Sequence, residues 1–249
     1  MLKSKIQKLL NKIKKKRLFF PFLNIYISLA EKGKGKENDR YSYQKNEINF
    51  NIKPDEKVLD IGSGHDPFPL ATHLADYYEG NTTHRNEKLK RDARPFTNCT
   101  VEQTPFGDKE FDFIYCSHVL EHVDNPAQAC QEIIRIGKRG YIETPTKTSD
   151  IMFNFTELPT HHKWHIQTQG NTIIFFEWKN SERKDTGTNY FFNKFHSKIR
   201  NPFQDLFYDN RTMFTNMFLW HDKFEYLVIN KEGQIQAISK ELKNKIKTC

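Results

Sequence analysis

Residues 57–69, KVLDIGSGHDPFP, constrain the fold more than any other part of the chain. Val58, Leu59 and Ile61 form a short apolar run, the pattern of a strand buried on both faces. Asp60 lies at its end, and Gly62-Ser63-Gly64 follows. Glycine has no side chain to block an approach and tolerates positive φ, so this turn lets backbone come close to a ligand. A carboxylate and a glycine turn at the carboxyl end of a parallel strand form the general ligand site of open α/β sheets.

The rest of the chain reads as strands and helices around that strand. Residues 71–78 (ATHLADYY) predict a second strand. A parallel crossover usually needs a dozen or more residues and a helix. Here Pro67 and Pro69 follow the glycines at once, so a short irregular connection is expected. Residues 79–95 are polar and read as a surface loop, and residues 96–101 as a third strand. Residues 111–117 (FDFIYCS) and 140–144 (GYIET) are the fourth and fifth. Between these two, Asn125 suits an N-cap, Pro126 a first turn and Gly137 a C-cap. The helix over 127–136 then buries Ala129, Cys130, Ile133, Ile134 and Ile136. Residues 172–178 and 224–229 read as further strands, and the Phe-rich 188–220 as a helical lid or packing layer. Residues 31–45 read as a polar lead-in, and 240–249 as a basic, uncapped tail.

The glycine turn is followed by Thr104-Pro105-Phe106, by Phe111-Asp112 and by Leu120-Glu121-His122-Val123. In this order and spacing the segments resemble the type 11 branch of the class I S-adenosylmethionine-dependent methyltransferases, whose pattern reads LPF…FD…LEHV. The resemblance covers roughly residues 50–146. It implies an α/β, Rossmann-like, doubly wound, mostly parallel sheet of seven strands, with residues 172–178 and 224–229 pairing as its antiparallel C-terminal edge. The domain would run over 46–239, with a cofactor half at 50–146 and a substrate half at 147–239. The resemblance also implies S-adenosylmethionine as cofactor, held by Asp60, Gly62, Ser63, Gly64, Asp76, Val101, Glu102, Ser117 and Glu121. Asp76 stands where the family binds the ribose hydroxyls. Thr100 replaces the family's usual Asp, which moves contact with the adenine edge to backbone near Val101 and Glu102.

The net charge of +8 belongs to an arm. Residues 1–17 hold eight Lys and Arg and no acid, and the other 232 residues carry 31 basic and 31 acidic groups. A neutral body argues against nucleic acid, which wants a basic stripe on the domain itself. Leu2, Ile6, Leu9, Leu10 and Ile13 recur at helical spacing among the lysines. Such an arm suits an anionic membrane surface, and equally a lysine-rich helix packed on the domain. The apolar run 18–30 imitates a secretory signal, but Pro21 and Asn24 interrupt it, and it is too short to span a bilayer. Cys99, Cys116, Cys130 and Cys249 form no CxxC pair and read as reduced thiols in a cytoplasmic protein, peripheral on the inner face of the membrane if the arm binds there.

Methyl transfer from a sulfonium needs in-line positioning, and a base only when the acceptor must lose a proton. His118, then His162 and His165, with Glu143 as an outsider, are the candidate bases. A zinc reading of HHKWH lacks a second Cys or His cluster, so no metal is expected. The expected acceptor is a sugar or another small hydroxylated molecule, lipid-linked in one version. The GYIETP strand and the HxW loop that follows it resemble methyltransferases found with bacterial surface-glycan assembly. The alternatives are a quinone or small-metabolite methyltransferase and a non-catalytic module that keeps the fold. A nicotinamide oxidoreductase wants GxGxxG, and Pro67 occupies the third glycine position.

Overall fold

The computed structural model describes residues 40–80, 88–156, 161–183, 189–197 and 201–248. The basic arm and the apolar run after it lie outside them. A six-stranded sheet holds β3 (Phe96–Asn98), β2 (His73–Asp76), β1 (Val58–Ile61), β4 (Phe113–Ser117), β5 (Arg139–Pro145) and β8 (Thr215–His221), in that spatial order. The first five are parallel, and β8 runs antiparallel to β5. A second sheet orders β10 (Ile235–Ile238), β9 (Glu225–Ile229), β7 (Thr172–Glu177) and β6 (Trp164–Gln169). Seven helices complete the described chain: α1 (Arg40–Glu47), α2 (Pro126–Ile136), α3 (Lys147–Met152), α4 (Tyr190–Phe195), α5 (Pro202–Asp209), α6 (Arg211–Phe214) and α7 (Lys240–Thr248). None of these is long and apolar enough to cross a membrane.

The alternation along β1 decides what lies on each side of the main sheet. Leu59 and Ile61 join Ile114, Cys116 and Ile142 in one apolar cluster with α2 and with Trp164, Ile173, Phe175 and Val228 of the second sheet. Asn125 caps α2 by accepting from the Gln128 amide, as expected. Val58 faces the other way, with Leu74, Phe113, Tyr115 and Tyr141. No helix follows β1 to cover that face. The irregular stretch 62–72 instead delivers Phe68, whose ring stacks on Tyr115 at 4.0 Å, and Phe50 and Tyr41 close over it. One buried aromatic ring thus takes over the covering role of the usual crossover helix, which explains how so short a connection is tolerated.

Four expectations need correction. The main sheet has six strands among the described residues, not seven. Residues 172–177 and 225–229 are not its antiparallel edge: β7 and β9 are parallel neighbours in the second sheet. β6 pairs antiparallel with β7 on one side, and β9 lies along its other side running in the same direction as β7. The antiparallel edge is β8, inside the segment read as a lid. Phe218 and Trp220 point inward while Leu219 is exposed, a period-two pattern. Finally, helix replaces the polar lead-in from Arg40 and the uncapped tail from Lys240. Cys99, Cys116 and Cys130 are free, buried thiols.

β5 approaches β4 closely because it carries Gly140. A Cβ at that position would meet the Ile114 carbonyl oxygen at 2.3 Å and Trp220 Nε1 at 2.9 Å. Backbone cannot step aside cheaply, so Gly140→Ala is expected to cost about 1–3 kcal/mol. A thermal unfolding midpoint equal to the parent's would contradict this packing.

Candidate active site

A cleft of about 970 Å³ opens at the carboxyl ends of β1, β2 and β4. Ile61, Gly62, Ser63, Gly64, Asp76, Val101 and Glu102 line one part of it, and Ser117, His118, Glu121 and His122 its centre. The far part is walled by Phe153, Phe155, Phe192, Phe195, Phe207 and Phe214, with His161 and His162 beside them.

The glycine turn is held from two sides. Gly62 and Ser63 donate their amides to the Ala75 carbonyl at 2.8 and 3.0 Å, and Gly64 donates to Asp76 Oδ2 at 2.9 Å. Gly62 has φ +80, and a Cβ there would fall 2.2 Å from Val119 Cγ2, so only glycine fits. Asp76 also accepts from the Tyr78 amide. Ser63 Oγ is buried without a hydrogen-bond partner. An orphaned hydroxyl, a carboxylate and bare backbone in one wall fit a polar nucleoside. The exposed rings of Tyr77 and Tyr78 line the same wall and were not predicted, although two adjacent aromatics after a strand-end acid are a readable signal.

Asp60 is not among the lining residues. Its Oδ2 accepts from the Phe68 amide at 2.7 Å, and burial pushes its carboxyl up to about 7 despite that bond. Asp60 therefore anchors the Phe68 loop behind the turn. Of the other predicted cofactor residues, Glu102 accepts from the Asn125 amide while lining the cleft. Ser117 Oγ lies 3.4 Å from Glu143, and Val101 is buried in the wall.

Of the candidate bases, two are displaced from the cleft. Glu143 is fully buried and accepts hydrogen bonds from Tyr43 Oη, from Gln44 Nε2 (2.8 Å) and from Tyr141 Oη (2.5 Å). Burial alone would raise it, but His118 and the two tyrosines outweigh burial and hold it down at about 2. It is an ionised hub with no capacity to take a proton near neutrality. His165 lies on β6 between Phe176 and Trp178, at ring distances of 4.9 and 4.8 Å, away from the lining residues. Strand alternation sends it to the opposite side from Trp164.

His118 and His162 do face the cleft. His118 has φ 57, a left-handed conformation that costs roughly 1–3 kcal/mol in a non-glycine residue, and its amide donates to the Glu143 carbonyl at 2.8 Å. That turn sets its imidazole between Glu121 (3.3 Å) and Glu143 (3.2 Å). Burial opposes its charge, but the two carboxylates win and raise it to about 9. His118 therefore carries its proton at pH 7 and is no base as it stands. His162 is buried, with Nδ1 2.7 Å from Asp150 Oδ1. Burial lowers His162 to about 4, and burial also raises Asp150. His122 is lowered to about 4 by burial as well, and its Nδ1 lies 2.5 Å from the His161 carbonyl. Glu121 is 1% exposed. Burial alone would raise its carboxyl, but the neighbouring imidazoles hold it at about 2.

Sequence reasoning missed Arg40, Tyr43 and Arg211, which also line the cleft. The Arg211 guanidinium stacks 3.5 Å from the Tyr43 ring centre and 4.6 Å from that of Phe207. Nothing in the local pattern of α1 or α6 marks these residues, because their partners come from distant parts of the chain.

The YcgJ protein of Bacillus subtilis is 19% identical, over 47% of this chain and 65% of its own, with a TM-score of 0.34. An S-adenosylmethionine-dependent methyltransferase of Thermotoga maritima is 23% identical, over 40% and 49%, with a TM-score of 0.33. This chain thus spans less than two thirds of either. A methyltransferase in complex with the Trm112 methyltransferase activator of Haloferax volcanii is 13% identical, over 74% and 91%, with a TM-score of 0.45. No curated protein matches the chain. The methyltransferase domain family, type 11, matches residues 59–142, which include the glycine turn, Asp76, His118 and Glu121. Over those residues, about a third of the chain, the sequence matches a methyltransferase domain.

Proposed function

We propose that the protein uses S-adenosylmethionine to methylate a hydroxyl group of a sugar or of another small hydroxylated acceptor, lipid-linked in one version. The observation that carries this reading is the two-part cleft, a polar nucleoside-like wall and a phenylalanine wall that meet at His118 and Glu121. S-adenosylmethionine supplies an electrophilic methyl group when bound. Gly62, Ser63, Gly64, Asp76, Val101 and Glu102 would hold it. The aromatic wall suits an acceptor with an apolar portion, and His162 and His122 offer neutral imidazoles beside the ionised Glu121. Of the four candidate bases, His162 alone both faces the cleft and stays uncharged near neutrality. Cationic His118 serves instead as a donor to an anionic or carbonyl oxygen.

Three measurements test this reading. Calorimetry should show S-adenosylmethionine binding to the full chain, and Asp76→Ala should weaken it about tenfold or more, the scale of a charged hydrogen bond of roughly 1.5–3 kcal/mol. A silent titration of the parent would favour the non-catalytic module. By NMR, the His118 imidazole should titrate near 9, and Glu143→Gln should lower that midpoint. Because its folded value is raised, the stability it contributes is complete below the free imidazole value of about 6.5 and is lost as pH rises through 9. A midpoint near 6.5 in the parent would remove His118 from the proton-holding role. Labelled cofactor offered to glycan, quinone and tRNA fractions should mark glycan. Label in tRNA, or in quinone alone, would overturn the acceptor class. Offering lipid-linked acceptors in anionic vesicles to chains with and without residues 1–17 also tests the arm. Equal labelling by both would set the membrane-surface reading aside.

A further inference from the structure

The zinc reading of HHKWH fails on its own terms, because His165 turns into the second sheet. Yet the fold supplies the missing half from elsewhere. The LEHV segment after β4 brings Glu121 and His122 to His162, and ligand atoms of all three lie within 4.8 Å of one another. His122 Nε2 is 3.9 Å from Glu121 Oε1, and the two imidazole centres are 4.8 Å apart.

Two further features distinguish this group from an ordinary polar cluster. Glu121 is 1% exposed, and neither of its carboxylate oxygens has a hydrogen-bond partner. His118 Nδ1 stands 3.3 Å from Glu121 Oε1 and is its nearest cationic neighbour. A buried carboxylate with one imidazole beside it and no hydrogen bond of its own has room for a further cationic partner. Both imidazoles are also held at Nδ1, His162 by Asp150 and His122 by the His161 carbonyl. A carboxylate or carbonyl on the outer nitrogen is the arrangement that orients metal-binding histidines and leaves Nε2 as the ligand atom.

We propose that Glu121, His122 and His162 bind one divalent transition-metal ion, Zn²⁺ before others, with an open position facing the cleft. Two imidazoles and one carboxylate suit zinc and its neighbours, whereas Mg²⁺ and Ca²⁺ prefer all-oxygen sets. Ligand atoms about 2.1 Å from a tetrahedral ion stand roughly 3.4 Å apart, so the three side chains need close by little more than an ångström. Three protein ligands and an open position are the pattern of catalytic rather than structural zinc. The role in transfer rests on the methyltransferase reading. An acceptor hydroxyl in the open position would lose its O–H proton to solvent water. Its oxygen would then form the O–CH₃ bond as the S–CH₃ bond breaks and its electron pair stays on sulfur. His162 acts here as a ligand, and the metal replaces it as the activator of the hydroxyl.

The test uses full-length protein stripped with a chelator and dialysed. Zn²⁺ is titrated by calorimetry, and Co²⁺ is followed by visible absorption. The expected result is one ion per chain and a Co²⁺ spectrum of a four- or five-coordinate nitrogen–oxygen site. Glu121→Gln and His162→Asn should each weaken binding at least tenfold, and Asp150→Asn roughly 10–100-fold through loss of the outer hydrogen bond. Zn²⁺ should also raise the unfolding temperature of the parent and not of the ligand variants. If a ligand variant does not fold, the parent's Co²⁺ spectrum and Asp150→Asn decide. No binding to the parent, or undiminished binding in folded Glu121→Gln and His162→Asn variants, overturns the site. Cofactor binding and label transfer that persist in metal-free protein would remove the metal and keep the methyltransferase. Zn²⁺ binding without cofactor binding would do the reverse.

Discussion

The structure around the cleft depends on one buried charge. Glu143, in the middle of β5, is inaccessible to solvent and ionised. An uncompensated carboxylate there would be prohibitive, so its surroundings are committed to it. Tyr43 and Gln44 bring α1 to it, Tyr141 comes from its own strand, and His118 from the end of β4. Gln44 extends the network by accepting from Tyr115 at 2.9 Å. The same ring of Tyr115 stacks on Phe68. A polar network on one side of the sheet and an aromatic stack on the same side therefore share a residue, and each fixes the other's geometry.

That coupling reaches the chemistry through His118. Its backbone strain, its two carboxylate neighbours and its proton all follow from the turn that ends β4. Glu121 is shared between this imidazole and those of His122 and His162, so charge at the centre of the cleft is set by a chain of contacts running from α1 to α3. A network of this kind holds its members in single orientations, which is what positioning of a donor and an acceptor demands.

Much of the main sheet was legible because buried parallel strands leave short apolar runs between glycine and proline punctuation, as around Val58, Phe113 and Gly140. The glycine turn and Asp76 were legible for the same reason. The role of Asp60 was not: its partner is the Phe68 amide, and a capping carboxylate and a ligand-binding one have the same local sequence. α1 was missed because RYSYQKNE has no aliphatic face; it inserts the Tyr41 ring and the Gln44 amide, and Gln44 is buried because Glu143 awaits it. β8 could have been read from the alternation of Phe218, Leu219 and Trp220, but the phenylalanines before it belong to helices and masked the change of period. The meeting of His162 with Glu121 and His122 required the fold, since 40 residues separate the segments.

The replacement of a crossover helix by the Phe68 loop also changes the electrical character of the glycine turn. A helix starting there would present about half a positive charge to the ligand, the device by which dinucleotide folds hold a pyrophosphate. Here β1 runs into irregular backbone, and the turn is pinned instead by the Asp76 carboxylate, which accepts from the Gly64 amide. The shortness of the loop thus removes the device that favours a phosphorylated nucleoside, before any side chain in the cleft has touched a ligand.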